Sequence, residues 1–307
     1  MQATRRRFLS QAATTIAAAA AIAPVLPATP LKRPIGLQLY TVSDALQKDF
    51  NGTLKKISDM GIKEVELAQT FGLSGHEIGT MFKDNGLNCR SVHMFDLDQK
   101  PGAFMDFAKE VGAKYAVTSF NPPGMAMSAM RGDHPDFEAF SQMLDNMTLD
   151  DYRRSATVCN MYSELAHNRE IVYAYHNHNI EFKKFGDITG FETLLSSTDP
   201  KMVKFELDCG WVAAAGYDPA AFLKEYPERI KLLHIKAFKP GPPTVSLQAA
   251  KKPQPTELGR GKPDYKAIFA AVKHGAVEQY YIEQEPPFTD MTSFEAVKVD
   301  YDYLGGL

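Results

Sequence analysis

The sequence predicts a single (β/α)8 barrel, or TIM barrel, over residues 34–307. Short runs rich in β-branched and aromatic residues alternate with amphipathic helical segments from Pro34 onward, a pattern typical of a parallel sheet. Eight such units fit one barrel of ordinary length. The alternative is a doubly wound open sheet. It lacks support because no Gly-x-Gly-x-x-Gly motif follows an early strand.

Residues 1–30 are set apart from the fold because they resemble an export signal. Paired arginines precede a Phe-Leu step, an alanine-rich segment runs from Gln11 to Ala23, and small residues near Ala28 offer a cleavage site. The arginine pair is typical of the twin-arginine route, which predicts export to the periplasm or cell envelope of a bacterium. A basic amphipathic helix fits less well, because the arginines cluster at one end of a run that has no polar face.

Composition narrows the classes of partner. A net charge of −3 and a pI near 6.3 give no electrostatic signature of nucleic-acid binding or of binding to an anionic membrane. No segment after the N-terminal stretch is long and apolar enough to span a bilayer. Cys89, Cys159 and Cys209 form neither a zinc spacing nor a disulfide framework, so we expect buried small hydrophobic residues. The sequence leaves the oligomeric state open.

The eight predicted strands are short and are bounded by Gly, Pro, Asn or Asp. They are Ile35–Tyr40, Glu64–Leu67, Asn88–His93, Tyr115–Ser119, Ile171–His176, Val203–Asp208, Ile230–Ile235 and Gln279–Glu283.

Helical segments lie between these strands. Ser74 and Glu77 form a capping box in front of the helix Gly75–Asn85, and further helices are predicted at Phe50–Met60 and Leu149–His167.

Two connections are long, Asn121–Thr148 after the fourth strand and Lys236–Asp264 after the seventh. Both fall on the face where barrel strands end, so we expect lids or walls of a substrate site.

Polar residues stand where the strands end, and in a barrel these ends surround one axis. Singly, a strand histidine is more often a hydrogen-bonded core residue, and an aspartate can simply cap the next helix. Together, inward carboxylates and imidazoles would be costly to bury without a cation or a substrate. Mixed oxygen and nitrogen donors suit Mn, Zn, Co or Mg. The candidates are Tyr40, Glu66, His93, His176, His178, Glu181, Asp208, His234, Lys236 and Glu283.

Two further carboxylates receive less weight. Glu206 is interpreted as a solvated or helix-facing residue, because Asp208 takes the inward strand end. Glu285, just before Pro286 and Pro287, is interpreted as charge on the rim.

Several longer stretches are distinctive, and on them the chain resembles the sugar phosphate isomerase/epimerase family of xylose isomerase-like barrels. The resemblance covers nearly the whole chain after residue 30. It implies one divalent metal ion held by a residue of the fifth strand together with Asp208, His234 and Glu283. The stretches are Ile35–Val42, Tyr175–His178 with Glu181-Phe182, Glu206–Asp208, Gly210-Trp211, Arg229–Lys236, Glu257–Gly261 and Tyr281–Gln284.

The chain departs from that family at two places. Better-known branches carry Glu at the metal position of strand five, whereas this chain offers His176, His178 and Glu181. We expect Glu181 or His178 to bind and leave the choice between them open. Residue 237 is Ala where similar relatives carry Asp after His-x-Lys, which removes a possible partner for a metal ligand.

The chemistry such a site implies is proton abstraction next to a carbonyl. The metal ion polarises the carbonyl and stabilises an enediolate, and Glu283 or Glu181 acts as the base. His93, His176 and Lys236 would contact substrate oxygens. Returning the proton to the other face or to the neighbouring carbon makes the protein a metal-dependent sugar epimerase or isomerase, which is our main expectation.

We also expect four residues to bind substrate: Tyr40, Glu66, His93 and Trp211. Tyr40 and Trp211 offer flat walls for a sugar ring, although Trp211 fits a hydrophobic core equally well. The partner is a small sugar or glycoside. A non-phosphorylated sugar is expected, because phosphorylated sugars are retained in the cytoplasm and the sequence has no Gly-rich phosphate loop.

Three alternatives stay open. Elimination from a 3-keto-glycoside would use the same metal site, which makes a lyase the main alternative. A DNA-repair endonuclease would need a basic groove and more metal ligands. A non-catalytic sugar-binding protein would keep Tyr40 and Trp211 while losing metal ligands.

Overall fold

The computed structural model describes residues 31–93, 100–119, 136–288 and 290–307. The predicted export signal at residues 1–30 and the first part of the predicted connection Asn121–Thr148 lie outside the described residues.

Eight parallel strands close into one barrel, which confirms the predicted (β/α)8 fold of a single domain. Each strand pairs with the next along the chain, and β8 returns to pair with β1 through Gly36 opposite Tyr281. The strands are β1 Gly36–Gln38, β2 Glu64–Leu67, β3 Asn88–His93, β4 Tyr115–Thr118, β5 Val172–His176, β6 Val203–Asp208, β7 Ile230–Ile235 and β8 Gln279–Ile282.

Helices alternate with these strands along the chain. The α-helices among the described residues are Ser43–Leu46, Phe50–Asp59, Gly75–Asp84, Pro101–Val111, Phe137–Asp145, Leu149–His167, Gly190–Ser197, Cys209–Ala214, Pro219–Glu225, Tyr265–Ala271 and Ser293–Gly305. Single 3-10 turns occur at Leu39–Val42 and Ile180–Phe182.

Local sequence signals explain several of these boundaries. The Ser74–Glu77 capping box forms as predicted, and it satisfies backbone N–H groups that the first helical turn leaves without partners. Gly61 adopts φ 95° just after Phe50–Asp59, a left-handed conformation that costs glycine little. The first strand is shorter than predicted, because the chain turns into the 3-10 helix at Leu39.

Besides the main hydrophobic core, β4, β5, β7 and β8 contribute a smaller cluster of buried residues. Because alternate residues of a strand share one face, the residues two positions further along point to the same side of the sheet. The cluster therefore forms a layer directly below the polar residues at the strand ends. It consists of Tyr115, Val117, Ala174, Leu232 and Tyr281.

The connection after β7 has structure of its own. Ala237–Phe238 pairs antiparallel with Pro255–Thr256, so the proline-rich residues between them form an excursion from a short two-stranded sheet.

Cys89, Cys159 and Cys209 are buried free thiols, as predicted. None of the described helices has both the length and the apolar character needed to cross a bilayer.

Candidate active site

Four buried side chains meet where the barrel strands end. His176, Asp208, His234 and Glu283 each place one donor atom within 4.8 Å of the others, and we call them the outer cluster. Nδ1 of His234 lies 2.8 Å from Oε2 of Glu283, and Nε2 of His176 lies 3.8 Å from Oδ2 of Asp208. Two imidazoles and two carboxylates are a donor set that a divalent transition metal accepts.

A second group of donors, the inner cluster, shares both imidazoles. It consists of His93, His176, Glu206 and His234, again with donor atoms within 4.8 Å of one another. Oε2 of Glu206 lies between three rings, 2.9 Å from Nδ1 of His176, 3.2 Å from Nε2 of His234 and 3.6 Å from Nδ1 of His93.

The sequence interpretation of Glu206 as a solvated or helix-facing residue is wrong. Its side chain is fully buried at the centre of the inner cluster. The physical reason is the two-residue period of a strand, which places Glu206 on the same inward face as Asp208. The same period can be read from the sequence, and it identifies both residues as inward-facing.

Glu66 lies beneath His234 and is fully buried, where the sequence predicted a substrate contact. Its Oε2 is 2.5 Å from Nε2 of His234 and accepts a hydrogen bond from Nε2 of Gln38 at 2.8 Å. Oε1 of Glu66 and Oε1 of Glu206 have no hydrogen-bond partner among the described residues. Buried carboxylate oxygens without donors are costly, and a nearby cation would compensate them. The chemistry of these buried donor atoms therefore fits a divalent cation.

Lys236 supplies a positive charge beside the outer cluster. Its Nζ lies 3.0 Å from Oδ2 of Asp208, 2.5 Å from Oε2 of Glu283 and 2.9 Å from Oε1 of Glu285. Burial opposes the ammonium form, but these three carboxylates outweigh it and hold the pKa of Lys236 well above its usual value. The hydroxyl of Tyr265 anchors the backbone of Lys236, accepting from its N at 2.9 Å and donating to its O at 2.6 Å.

The interpretation of Glu285 as charge on the rim is also wrong. The residue is buried, because Lys236 from the barrel and Lys252 from the connection after β7 both reach it. Its two oxygens thus join the barrel interior to a loop, a long-range relationship that sequence spacing does not reveal.

Tyr40 and Trp211 lie near this charged group. Tyr40 is half-buried, and burial together with the charges of Glu285 and Glu283 raises its pKa. The indole of Trp211 is buried, and Nζ of Lys236 and Nζ of Lys252 each lie 5.5 Å from the centre of its ring. Trp211 is therefore a core residue that also borders the site.

The structure places His176 at the strand-five position of the outer cluster, and neither His178 nor Glu181 joins either cluster. Glu181 lies in the 3-10 turn after β5, where it accepts hydrogen bonds from the hydroxyl of Tyr175 at 2.8 Å and from N of His178 at 2.9 Å. Burial raises the pKa of Glu181 to about 7. Its oxygens thus stabilise the turn that follows the strand.

Burial is the main cause of the pKa shifts of Asp208 and His93. It raises the pKa of Asp208 to about 6, although Lys236 opposes the shift, and it lowers the pKa of His93 to about 4. Nε2 of His93 lies 3.2 Å from Oγ of Ser119.

A closed barrel with a polar cluster at the carboxyl ends of its strands defines the class of (β/α)8 proteins whose sites are built on this face. The sequence identifies the family: residues 54–287 match the family described as Xylose isomerase-like TIM barrel, and the chain belongs to it.

Curated relatives are named inosose dehydratase. The protein of Lacticaseibacillus casei is 26% identical over 200 residues, which cover 59% of this chain and 61% of that protein. The protein of Clostridium botulinum (strain Eklund 17B / Type B) is 25% identical over 264 residues, 74% of this chain and 83% of the relative. The chain thus spans about 61% of the length of the Lacticaseibacillus relative.

Solved structures share the fold. A sugar phosphate isomerase/epimerase from Parabacteroides distasonis superposes with a TM-score of 0.68 at 25% identity, over 88% of this chain and 97% of the other. The IOLI protein with a binding zinc atom superposes with a TM-score of 0.63 at 15% identity, over 88% and 96%, which is a likeness of fold alone.

Proposed function

We propose that this protein is a divalent-metal-dependent lyase that eliminates a leaving group from a ketone derived from a sugar or polyol, such as a 3-keto-glycoside. The single observation that carries this proposal is the position of the Lys236 ammonium between Asp208, Glu283 and Glu285, beside the outer cluster. Relatives named as dehydratases support elimination, because a dehydratase removes water from its substrate.

His176, Asp208, His234 and Glu283 would hold the cation. A bound divalent ion would polarise a substrate carbonyl and make the neighbouring C–H more acidic. The structure named for the IOLI protein with a binding zinc atom supports the proposal that this barrel type accepts such an ion.

The chain's own residues supply the proton transfers. Burial opposes the charged form of Glu283, yet Lys236 and His234 hold its pKa well below its usual value. The reaction therefore starts with a carboxylate base and an ammonium acid. The carboxylate oxygen of Glu283 that the cation leaves free takes the proton from the carbon next to the carbonyl, and Nζ of Lys236 gives a proton to the leaving oxygen.

The substrate then loses one C–H and one C–O bond, gains a C=C bond, and releases water or an alcohol. The proton on Glu283 then returns to the amine of Lys236, whose Nζ lies beside the same carboxylate, and this transfer restores both groups. Tyr40 borders the same group of charges and would contact the substrate ring.

A sugar isomerase or epimerase is the second candidate. The solved sugar phosphate isomerase/epimerase from Parabacteroides distasonis, at 25% identity, supports it. Both reactions begin with the same proton abstraction, so the product separates them.

We also propose that the protein acts in the periplasm or cell envelope, on the basis of the arginine pair in residues 1–30. Replacing Arg5, Arg6 and Arg7 by Lys should keep the protein in the cytoplasmic fraction of its host. Periplasmic recovery of that variant would contradict the proposal.

The function is tested on the full-length protein with Mn2+ or Zn2+ in D2O, followed by NMR. A 3-keto-glucoside, a keto-inositol and free aldoses are offered, with Asp208→Asn as the inactive variant and Asp218→Asn, a helix cap, as matched control. We expect an unsaturated ketone from a keto substrate. Deuterium uptake with an isomeric product would favour the isomerase, and neither product nor exchange with any substrate would contradict both candidates.

A further inference from the structure

Two histidines connect the inner and outer clusters, each through opposite nitrogens of one ring. Nδ1 of His234 faces Glu283 at 2.8 Å, while its Nε2 faces Glu66 at 2.5 Å. Nε2 of His176 faces Asp208 at 3.8 Å, while its Nδ1 faces Glu206 at 2.9 Å.

This arrangement limits how many cations the clusters hold. A neutral imidazole offers one lone pair to a metal, and its other nitrogen carries a hydrogen that needs an acceptor. Filling both clusters at once would require His176 and His234 to lose that hydrogen and bridge two cations as imidazolates. One cation is therefore expected in the outer cluster, with Glu66 and Glu206 accepting the two N–H groups.

Access decides which cluster takes the cation. Both clusters are buried, but Asp208 of the outer cluster lies two residues nearer the carboxyl end of β6 than Glu206. On the inner side, Oγ of Ser91 donates to the hydroxyl of Tyr281 at 3.0 Å. The outer cluster instead adjoins Lys236, whose carboxylate partners act electrostatically on the half-buried Tyr40. A substrate that enters at the strand ends meets the outer cluster first.

We propose that Glu66 and Glu206 are positioning residues that select the metal-binding nitrogen of each histidine. Glu66 holds the hydrogen of His234 on Nε2, so that Nδ1 binds the metal. Glu206 holds the hydrogen of His176 on Nδ1, so that Nε2 binds. The hydrogen bond from Gln38 fixes the Glu66 oxygen that performs this task. This inference rests on the metal dependence of the proposed function.

The direct test is the tautomer of each ring in the full-length, Zn2+-loaded wild-type protein. Long-range 1H–15N correlation of 15N-histidine shows which nitrogen carries the hydrogen, with resonances assigned by His176→Gln and His234→Gln variants. We expect hydrogen on Nδ1 of His176 and on Nε2 of His234. Hydrogen on the opposite nitrogens would overturn the proposal and place the cation in the inner cluster.

Substitution gives a second readout that does not depend on activity. Glu66→Gln should weaken Zn2+ binding about 10- to 100-fold in chelator competition and alter the visible spectrum of bound Co2+. Glu64→Gln, on the same strand but paired with Asn88 and Arg90, should leave both unchanged. Unaltered Zn2+ affinity and Co2+ spectrum in Glu66→Gln would overturn the role of Glu66.

These results separate the inference from the proposed function. A Zn2+-loaded protein with the expected tautomers that forms no elimination product contradicts the function and supports the positioning role. A protein that binds no Zn2+ contradicts both.

Discussion

Nζ of Lys236 lies 2.9 Å from Oε1 of Glu285, at a point where barrel and loop meet. The other oxygen of Glu285 pairs with Lys252, which belongs to the connection after β7. Glu285 therefore links the ammonium at the outer cluster to the loop, and a change in either lysine should have a distinct effect.

Lys236→Met should lower the elimination rate about 100-fold or more, because the leaving oxygen loses its proton donor. Without added metal, three buried carboxylates also lose their cationic partner, at a cost of about 3–5 kcal/mol in unfolding free energy. Added Zn2+ should bind at least as tightly as in the wild type and recover much of the lost stability. Kinetics and thermal unfolding with and without Zn2+ measure these effects.

Lys204→Met is the matched control for that variant. Its ammonium contacts the carbonyl oxygens of Pro200 and Glu228, away from the site. Rate and Zn2+ affinity should stay near the wild-type values. Wild-type activity in Lys236→Met would show that Lys236 does not take part in the reaction.

Lys252→Met should raise KM several-fold and change kcat little, because it releases the loop while Lys236 keeps its other partners. Limited proteolysis should cut the loop faster in this variant. Lys239→Met, an exposed position of the same loop, provides the comparison. Equal KM and equal proteolysis rates in both variants would show that the pair with Glu285 does not organise the loop.

Gly210→Ala should displace Lys236, because the added methyl group would clash with that residue. A Cβ at residue 210 would lie 2.8 Å from the carbonyl oxygen of Lys236 and would also run into its side chain. We expect a loss of about 1–3 kcal/mol in unfolding free energy together with a lower kcat. Gly186→Ala, at φ 68° with open space around it, should cost about 1 kcal/mol and leave kcat unchanged. A Gly210→Ala enzyme with normal kcat would show that Lys236 tolerates displacement.

The buried carboxyl group of Asp300, which lies away from the site, should make the free energy of unfolding depend on pH. Burial, with a smaller contribution from Glu257, raises its pKa to about 8, and its Oδ1 accepts from N of Leu258 at 2.7 Å. Between the unfolded pKa near 4 and this value, the folded state binds the extra proton, so this group's contribution to stability falls as pH rises.

Asp300→Asn keeps the acceptor for Leu258 and removes that titration. Its unfolding free energy should therefore depend less on pH between 5 and 8 than that of the wild type. Asp302→Asn, exposed on the same helix, should follow the wild-type curve. Identical pH profiles for Asp300→Asn and the wild type would contradict the raised pKa.

Sequence patterns predicted the barrel well because its strands are local features. The predicted bounds of Glu64–Leu67, Asn88–His93, Val203–Asp208 and Ile230–Ile235 match the structure at both ends. Their β-branched and aromatic composition and their flanking turn residues are properties of adjacent positions.

The candidate site was harder to predict where it depends on three-dimensional packing. The run after Tyr175 offers three possible ligands, and only the end of β5 at His176 shows which one joins the outer cluster. The burial of Glu285 depends on Lys252, which lies 33 residues earlier in the chain. Neither relationship has a local signature. The inward orientation of Glu206 does have a local signature, which is the two-residue period of the strand.

The most direct test of metal-dependent elimination is a metal titration of the full-length protein, stripped with chelator, during turnover of a 3-keto-glucoside. The rate of unsaturated-ketone formation is followed as Mn2+ or Zn2+ is added. We predict a rise to a plateau at one equivalent per chain, and no rise in Asp208→Asn. The same rate in the presence of chelator, or no elimination product at any metal concentration, would contradict metal-dependent elimination by this protein.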